Sequence, residues 1–140
     1  KYVNSTLKVV FNDDYNYTKV FDNIFFVSTS TVNGVELYSN TFSSIRCYNN
    51  YQNTDYCTLV YGTNLERNER EWHTYVPRNA VNKLYTTSPD VFDASNIDKT
   101  RRFKERMRDK YMVTDFVYSN TSNRRFVVPY VVVLYKISPR

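Results

Sequence analysis

The sequence predicts a mainly β protein, an antiparallel sandwich or barrel with one or two short helices in its connections. The first observation is composition: fourteen Tyr and nine Phe stand against two Ala and two Gly, and aromatic and β-branched residues favour strands. The second is a series of short apolar runs separated by Asn, Asp and Ser clusters, as in strands joined by turns. The third is the count of sixteen Asn, because Asn tolerates the left-handed backbone of tight turns.

The length of 140 residues and the apolar content of 41% indicate a single β-rich domain over residues 1–140 with a core of its own. Residues 62–80 and 87–100 read as long loops. No apolar run approaches the length of a membrane span, so we expect no membrane insertion. The apolar runs predict strands at 6–11, 20–28, 44–48, 56–61, 81–86, 111–118 and 125–136.

Two local signals refine this outline. Asn33-Gly34 is a strong signal for a two-residue turn between antiparallel strands. Pro129 interrupts the longest apolar run, RFVVPYVVVLYK, and proline cannot donate a hydrogen bond to a neighbouring strand. We therefore expect the last strand to bend at Pro129 or to lie at a sheet edge.

A basic run at residues 98–110 carries seven basic and three acidic residues, a net charge of +4 in a chain of net charge +5. As a strand, it would place five cations on one face. As a helix, Phe103, Met107 and Tyr111 would form an apolar stripe. The residue types favour a short helix that passes into a strand near Tyr111. Both geometries expose the same cations, Arg102, Lys104, Arg106, Arg108 and Lys110.

Two interpretations of this basic run remain open. Its cations could follow a phosphate backbone and give salt-sensitive, sequence-independent binding to nucleic acid. They could equally form an ordinary solvated face, partly neutralised by neighbouring acids. No known nucleic-acid-binding motif accompanies the run.

Catalytic and metal-binding patterns are absent from the sequence. The only histidine, His73, has no recognisable relation to Cys47 or Cys57 of the kind that a nucleophile and its base require. These three residues would also make an incomplete zinc site at unfamiliar spacing. Asp13-Asp14 reads as a turn. We therefore expect no enzymatic activity, no bound metal and no cofactor.

The two cysteines flank a polar turn. A hairpin centred on Gln52 would place Cys47 opposite Cys57, at a separation that a disulfide can bridge. In an oxidising compartment we expect the bond, and in a reducing compartment two thiols.

Four segments in order carry a family resemblance: CTLVYGTN before a long loop, then SPDVFDA, RRFKERMRDKYMV and RFVVPYVVVLYKI. Over residues 40–140 the chain resembles single jelly-roll capsid proteins of small single-stranded DNA viruses and satellite viruses. The resemblance implies a sandwich of jelly-roll type, self-assembly and a place in the virion. It also implies that Arg102, Lys104, Arg106, Arg108 and Lys110 face packaged nucleic acid or a neighbouring subunit.

Two other functions remain open beside a capsid-like structural role. A secreted or viral accessory sandwich that binds a host protein would use the abundant tyrosines as contact surface. A small nucleic-acid-binding module acting alone would use the basic run.

Overall fold

A computed structural model describes residues 4–50, 52–78, 81–82, 106–120 and 124–138. Within these residues every regular element is a strand, which confirms the mainly β class. None of them forms a helix, so none forms a membrane-spanning helix. Of the segment expected to be helical, residues 106–110 form extended structure, with a short strand at Arg108–Asp109, and residues 98–105 lie outside the described part. The helix prediction is therefore wrong for the portion that can be compared.

The strands form two antiparallel sheets. Sheet A has the order β1-β11-β4-β5-β9, with β6 also paired to β4, and sheet B has the order β10-β2-β8-β7, with β12 and β3 also paired to β2. In chain order the strands are β1 (Ser5–Phe11), β2 (Lys19–Val32), β3 (Val35–Glu36), β4 (Ser44–Tyr48), β5 (Gln52–Asn53), β6 (Cys57–Thr58), β7 (Leu65–Asn68), β8 (Glu71–Tyr75), β9 (Val81–Asn82), β10 (Arg108–Asp109), β11 (Met112–Tyr118) and β12 (Arg125–Ile137).

The core lies between the two sheets and is largely aromatic. Phe42, in the connection after β3, has its ring centroid 5.3 Å from Phe26 on β2 and 4.9 Å from Phe116 on β11. Tyr118 stacks on Phe126 of β12 at 3.9 Å. The remaining buried core side chains are Phe21, Ile24, Ile45, Cys47, Leu59, Leu65, Trp72, Met107 and Met112.

The loop prediction for residues 62–80 is wrong, because β7 and β8 form a hairpin there. Leu65 and Trp72 point into the core, whereas Glu66 faces solvent. The charged residues of LERNEREW therefore alternate with apolar ones as in a half-buried strand pair. Because charged residues are so frequent in this segment, the alternation was not recognised in the sequence. The strand predicted at 56–61 is reduced to the two residues of β6. Of the strand predicted at 81–86, residues 81–82 form β9, and residues 83–86 lie outside the described part of the chain.

The Asn33-Gly34 turn is confirmed. Val32 pairs with Val35, and Asn33 and Gly34 both have positive φ, at 51° and 80°. Two consecutive positive φ angles give a turn whose twist matches that of the flanking strands.

The expectation for Pro129 is also confirmed. The register of β12 against β2 shifts between Val127 and Tyr130, which marks an irregularity at Pro129. Among the described strands, β12 pairs only with β2, so it lies at an edge of sheet B.

The predicted cysteine register is wrong. Cys57 pairs with Ile45 rather than with Cys47, and both cysteines are thiols. The turn lies between Asn49 and Gln52, where the Gln52 amide N–H donates to the Asn49 side chain at 2.8 Å. This turn closes earlier than the hairpin centred on Gln52, so the partner of Cys47 shifts along the strand.

Candidate functional site: a cationic cleft beside the outer face of sheet B

The described end of the basic run is held in an extended conformation by one glutamine side chain. The Gln52 amide donates to the Arg106 carbonyl and accepts from the Arg108 N–H, both at 2.8 Å. Between them, Met107 is fully buried, and its carbonyl accepts from the Phe21 N–H at 3.0 Å. Gln52 thus takes the place of a neighbouring strand, and the side chains of the segment alternate between core and solvent.

This alternation decides where the predicted contact residues lie. Arg106, Arg108 and Lys110 are exposed, as the strand interpretation required. Arg102 and Lys104 lie outside the described residues. The three described cations do not share one environment, because only Arg106 reaches the cleft described next.

An open cleft of about 430 Å³ lies beside the start of β10. The described residues that line it include three cations and one carboxylate, Asp22. Arg106 Nη1 donates to Asp22 Oδ1 at 3.1 Å across 84 residues of sequence. The cleft is lined by Phe21, Asp22, Asn23, Tyr75, Val76, Arg78, Arg106 and Lys136.

The ion pair between Arg106 and Asp22 fixes the position of the Arg106 side chain but adds little to the stability of the fold. The side chain of Arg106 is 57% exposed, and exposed ion pairs contribute on the order of 0–1 kcal/mol. Lys136, on β12, makes no ion pair within the described part of the chain. The cleft therefore keeps an excess of positive charge facing solvent.

The outer face of sheet B adjoins this cleft. Three strands contribute to it in register: Val132 pairs with Phe25, which pairs with His73 on β8. Most side chains of the two neighbouring rows are apolar or aromatic. One row is Tyr130, Val27 and Glu71, and the other is Leu134, Asn23 and Tyr75. We define the outer face of sheet B as Phe25, Val27, His73, Tyr75, Tyr130, Val132 and Leu134.

His73 lies at the centre of that face and is held on several sides. Its ring stacks on Phe25 at 4.6 Å and meets the edge of Tyr75 at 5.0 Å. Its Nε2 is 2.8 Å from Asn23 Oδ1. Cys47, by contrast, points into the core from sheet A. The two residues therefore face different sides of sheet B, and His73 acts as part of a surface.

Opposite charges border the two sides of this face. On the β7–β8 side are Glu66 and Glu71, and on β12 are Arg125 and Lys136. The Tyr130 hydroxyl donates to Glu71 Oε2 at 2.9 Å, and this bond to a carboxylate raises the pKa of Tyr130 because it favours the protonated phenol. The outer face is thus an apolar centre between an acidic and a basic border.

Sequence reasoning missed Arg78, Tyr75 and Lys136 as site residues. Arg78 and Tyr75 fall in the segment read as a loop, and Lys136 ends a strand noted only for its apolar character. The alternation of residues 65–75 was the one signal available for Tyr75. No local pattern could bring Arg78, Arg106 and Lys136 together, because they come from three separate parts of the chain.

Comparison with known proteins identifies the family. Residues 1–79, more than half of the 140-residue chain, match the family described as the Crassvirus muzzle protein C-terminal domain. No curated protein matches the chain. The family confirms the viral origin that the capsid resemblance implied, although it is a muzzle protein family and not a jelly-roll capsid family. The chain belongs to the family of crassvirus muzzle protein C-terminal domains, and it is a viral protein.

Proposed function

We propose that the chain is a structural part of the virion and that it packs against a second copy of itself through the outer face of sheet B. The observation that carries this proposal is the apolar centre of that face. Tyr130, Val132 and Leu134 are 45%, 44% and 49% exposed on one strand. Isolated exposed apolar residues are ordinary, whereas a contiguous apolar patch is typical of an interface.

The energetics favour covering this face. Burying apolar surface is worth roughly 25 cal/mol per Å², and the rigid strand backbone reduces the entropy lost on association. None of the described elements packs against the outer side of Val132 or Leu134, since both stay about half exposed. A subunit contact would remove this surface from water.

The register favours a second copy as the occupant, because the face can meet itself. A two-fold axis parallel to β2 lays β12 of each copy over β8 of the other and keeps every row at its level along the strand. Val132 of one copy then lies over His73 of the other, and Tyr130 lies over Glu71. Apolar centre meets apolar centre, and the Tyr130 hydroxyl, which donates to Glu71 within one copy, lies level with the same carboxylate of the other.

The open edge of β12 is a less favourable contact. Two β12 strands paired antiparallel about their centres would bring Arg125 of each copy close to Lys136 of the other. Cations at an edge strand oppose such pairing and protect the sheet from edge-to-edge aggregation. We therefore place the subunit contact on the face and not on the edge.

Light scattering coupled to size exclusion over a concentration series tests the proposal. Dimers or larger assemblies are expected for the chain, and the double substitution Val132→Glu with Leu134→Glu should convert them to monomers. Val10→Glu is the matched control, because Val10 is 54% exposed on sheet A. A chain that is monomeric at every concentration, or a control that dissociates equally, contradicts the proposal and favours a binding module with a different partner.

A second candidate function is contact with nucleic acid, and it is favoured by the exposure of Arg106, Arg108 and Lys110 on alternate positions. Absorbance at two wavelengths in the same experiment detects co-purifying nucleic acid. Binding by a diffuse basic surface should weaken steeply with salt. It should weaken by a similar factor for Arg106→Gln and Arg108→Gln.

A further inference from the structure

We propose that the cationic cleft binds one nucleotide unit of single-stranded nucleic acid, with its phosphate among Arg78, Arg106 and Lys136 and its base against Tyr75. This inference goes beyond the subunit contact, and because Tyr75 belongs to the outer face of sheet B, a nucleotide in the cleft and a second copy on that face compete for Tyr75. It also replaces a diffuse basic surface with a specific site.

The phosphate half of the proposal rests on convergence. Arg78 follows β8, Arg106 precedes β10 and Lys136 lies near the end of β12, yet all three line one cleft. Guanidinium groups donate paired hydrogen bonds that match phosphate oxygens, and an ammonium group adds a point charge. Three cations from three elements surround one concave surface. They can therefore contact one phosphate from several sides, whereas the sequence-adjacent cations of the basic run follow a line.

The base half rests on Tyr75. Its side chain is 63% exposed at the border of the cleft. The His73 and Tyr75 rings meet edge-to-face with their centres 5.0 Å apart, and His73 is itself hydrogen-bonded to Asn23, so the neighbour that contacts the Tyr75 ring is held in place. An exposed, supported aromatic ring beside a positive groove is the arrangement by which sequence-tolerant proteins hold unpaired bases.

The combination distinguishes a nucleotide from an acidic protein segment. Carboxylates need only the cations, whereas a nucleotide also uses the aromatic ring. The cleft volume of about 430 Å³ falls within the roughly 300–1,000 Å³ of small-ligand sites. That is room for one nucleotide, and the rest of a strand would leave through the open side.

Asp22 allows a more specific test of the proposal, because it is the one acid among the described residues that line the cleft. Its carboxylate holds Arg106 and opposes a phosphate by like-charge repulsion. Asp22→Asn should therefore tighten binding of an oligonucleotide. A merely structural cluster would show no such gain when its ion pair is removed.

Fluorescence anisotropy with a labelled oligodeoxythymidine, measured over a salt series, tests the site. Arg78→Gln with Lys136→Gln should weaken binding at least about tenfold and reduce the slope of log affinity against log salt by about 0.7, since the site holds one phosphate and each phosphate contact on a single strand contributes about 0.7. Arg108→Gln with Lys110→Gln is the charge-matched control, because both residues are exposed outside the cleft lining, and it should change affinity by less than about twofold. Tyr75→Ala should weaken binding, and Tyr17→Ala, at another exposed tyrosine, should not.

The possible outcomes separate the explanations. Equal losses for Arg108→Gln with Lys110→Gln and for the cleft variant overturn the cleft and leave a diffuse basic surface. Inorganic phosphate that binds as tightly as the oligonucleotide overturns the role of Tyr75, and an acidic peptide that binds as tightly overturns the nucleotide assignment. No binding of the oligonucleotide overturns the site altogether while leaving the subunit contact intact. Unfolding curves of each variant confirm that the fold is retained.

Discussion

Charged side chains have different surroundings on the outer faces of the two sheets. On sheet A, the register places Asp115 between Lys8 and Arg46. Arg46 donates to Asp115 at 2.6 Å, and the guanidinium carbon lies 5.0 Å from the ring centre of Tyr48 and 4.8 Å from that of Tyr56. The one carboxylate of this group lies between two cations and pairs with Arg46, and the Lys8 ammonium lies 5.8 Å from the ring centre of Tyr48.

On sheet B, the cations collect beside a face that is otherwise apolar. Arg106 shares the cleft with Asp22, while Arg78 and Lys136 add two further charges to the same space. The two regions use the same residue types and differ in exposure and register. Arg46 lies opposite the buried Asp115 and stabilises the fold, whereas Arg106 lies at an open cleft among other cations, where we propose that an anion binds.

Of the substitutions considered, one that breaks the sheet A ion pair should lower the free energy of unfolding most. The side chains of Arg46 and Asp115 are only 11% and 3% exposed, and Arg46→Leu leaves a buried carboxylate without its cation. We expect the free energy of unfolding to fall by about 3–5 kcal/mol, measured by urea denaturation. Arg106→Leu, at the exposed pair of sheet B, should cost about 1 kcal/mol or less. Similar losses for the two variants would refute the contrast between the faces.

Removing the hydrogen bonds of the Gln52 side chain should lower the free energy of unfolding by an intermediate amount. Gln52→Leu removes hydrogen bonds to the backbone of Arg106 and Arg108 and leaves those groups to find other partners. We expect a loss of about 2 kcal/mol in unfolding free energy together with weaker oligonucleotide binding, because the segment that carries Arg106 is no longer held. Asn12→Ala, at an exposed position, is the control. A variant that loses stability but binds normally would show that the cleft does not depend on this support.

The two cysteines of sheet A allow a test with a smaller expected effect, which compares a buried position with a partly exposed one. Burial raises the pKa of the Cys47 thiol from its ordinary value of 9.0 to about 12, whereas Cys57 is partly exposed. Alkylation of the native protein at pH 8, followed by mass spectrometry, should label Cys57 and spare Cys47. Labelling of both at equal rates would contradict the burial.

The same shift gives a pH dependence with a defined sign. Below pH 9 the Cys47 thiol is protonated in both the folded and the unfolded chain. Above pH 9 the unfolded thiol ionises while the buried one keeps its proton up to about pH 12, so folding loses stability as the pH rises. The unfolding free energy of the unsubstituted chain should fall relative to that of Cys47→Ala. Parallel pH profiles for the two proteins would contradict this.

Much of the fold follows from local patterns in the sequence. The aromatic and β-branched runs predict five strands within a few residues of their observed bounds: β1, β2, β4, β11 and β12. The prediction works because apolar residues recur at every second position of a strand that buries one face. Asn33-Gly34 and Pro129 act through their own backbone preferences, so their turn and bend needed no tertiary information.

What the sequence by itself determined is therefore the β class, the main strands and the set of cations in the basic run. Only the tertiary structure decided that Arg106, Arg108 and Lys110 alternate along a segment that is not helical, and that Arg106 meets Asp22. It also decided which residues join Arg106 in the cleft and that Ile45, and not Cys47, lies opposite Cys57. The physical reason is distance along the chain. Strand periodicity is a property of neighbouring residues, whereas a cleft depends on the order and register of strands that are brought together from remote parts of the sequence.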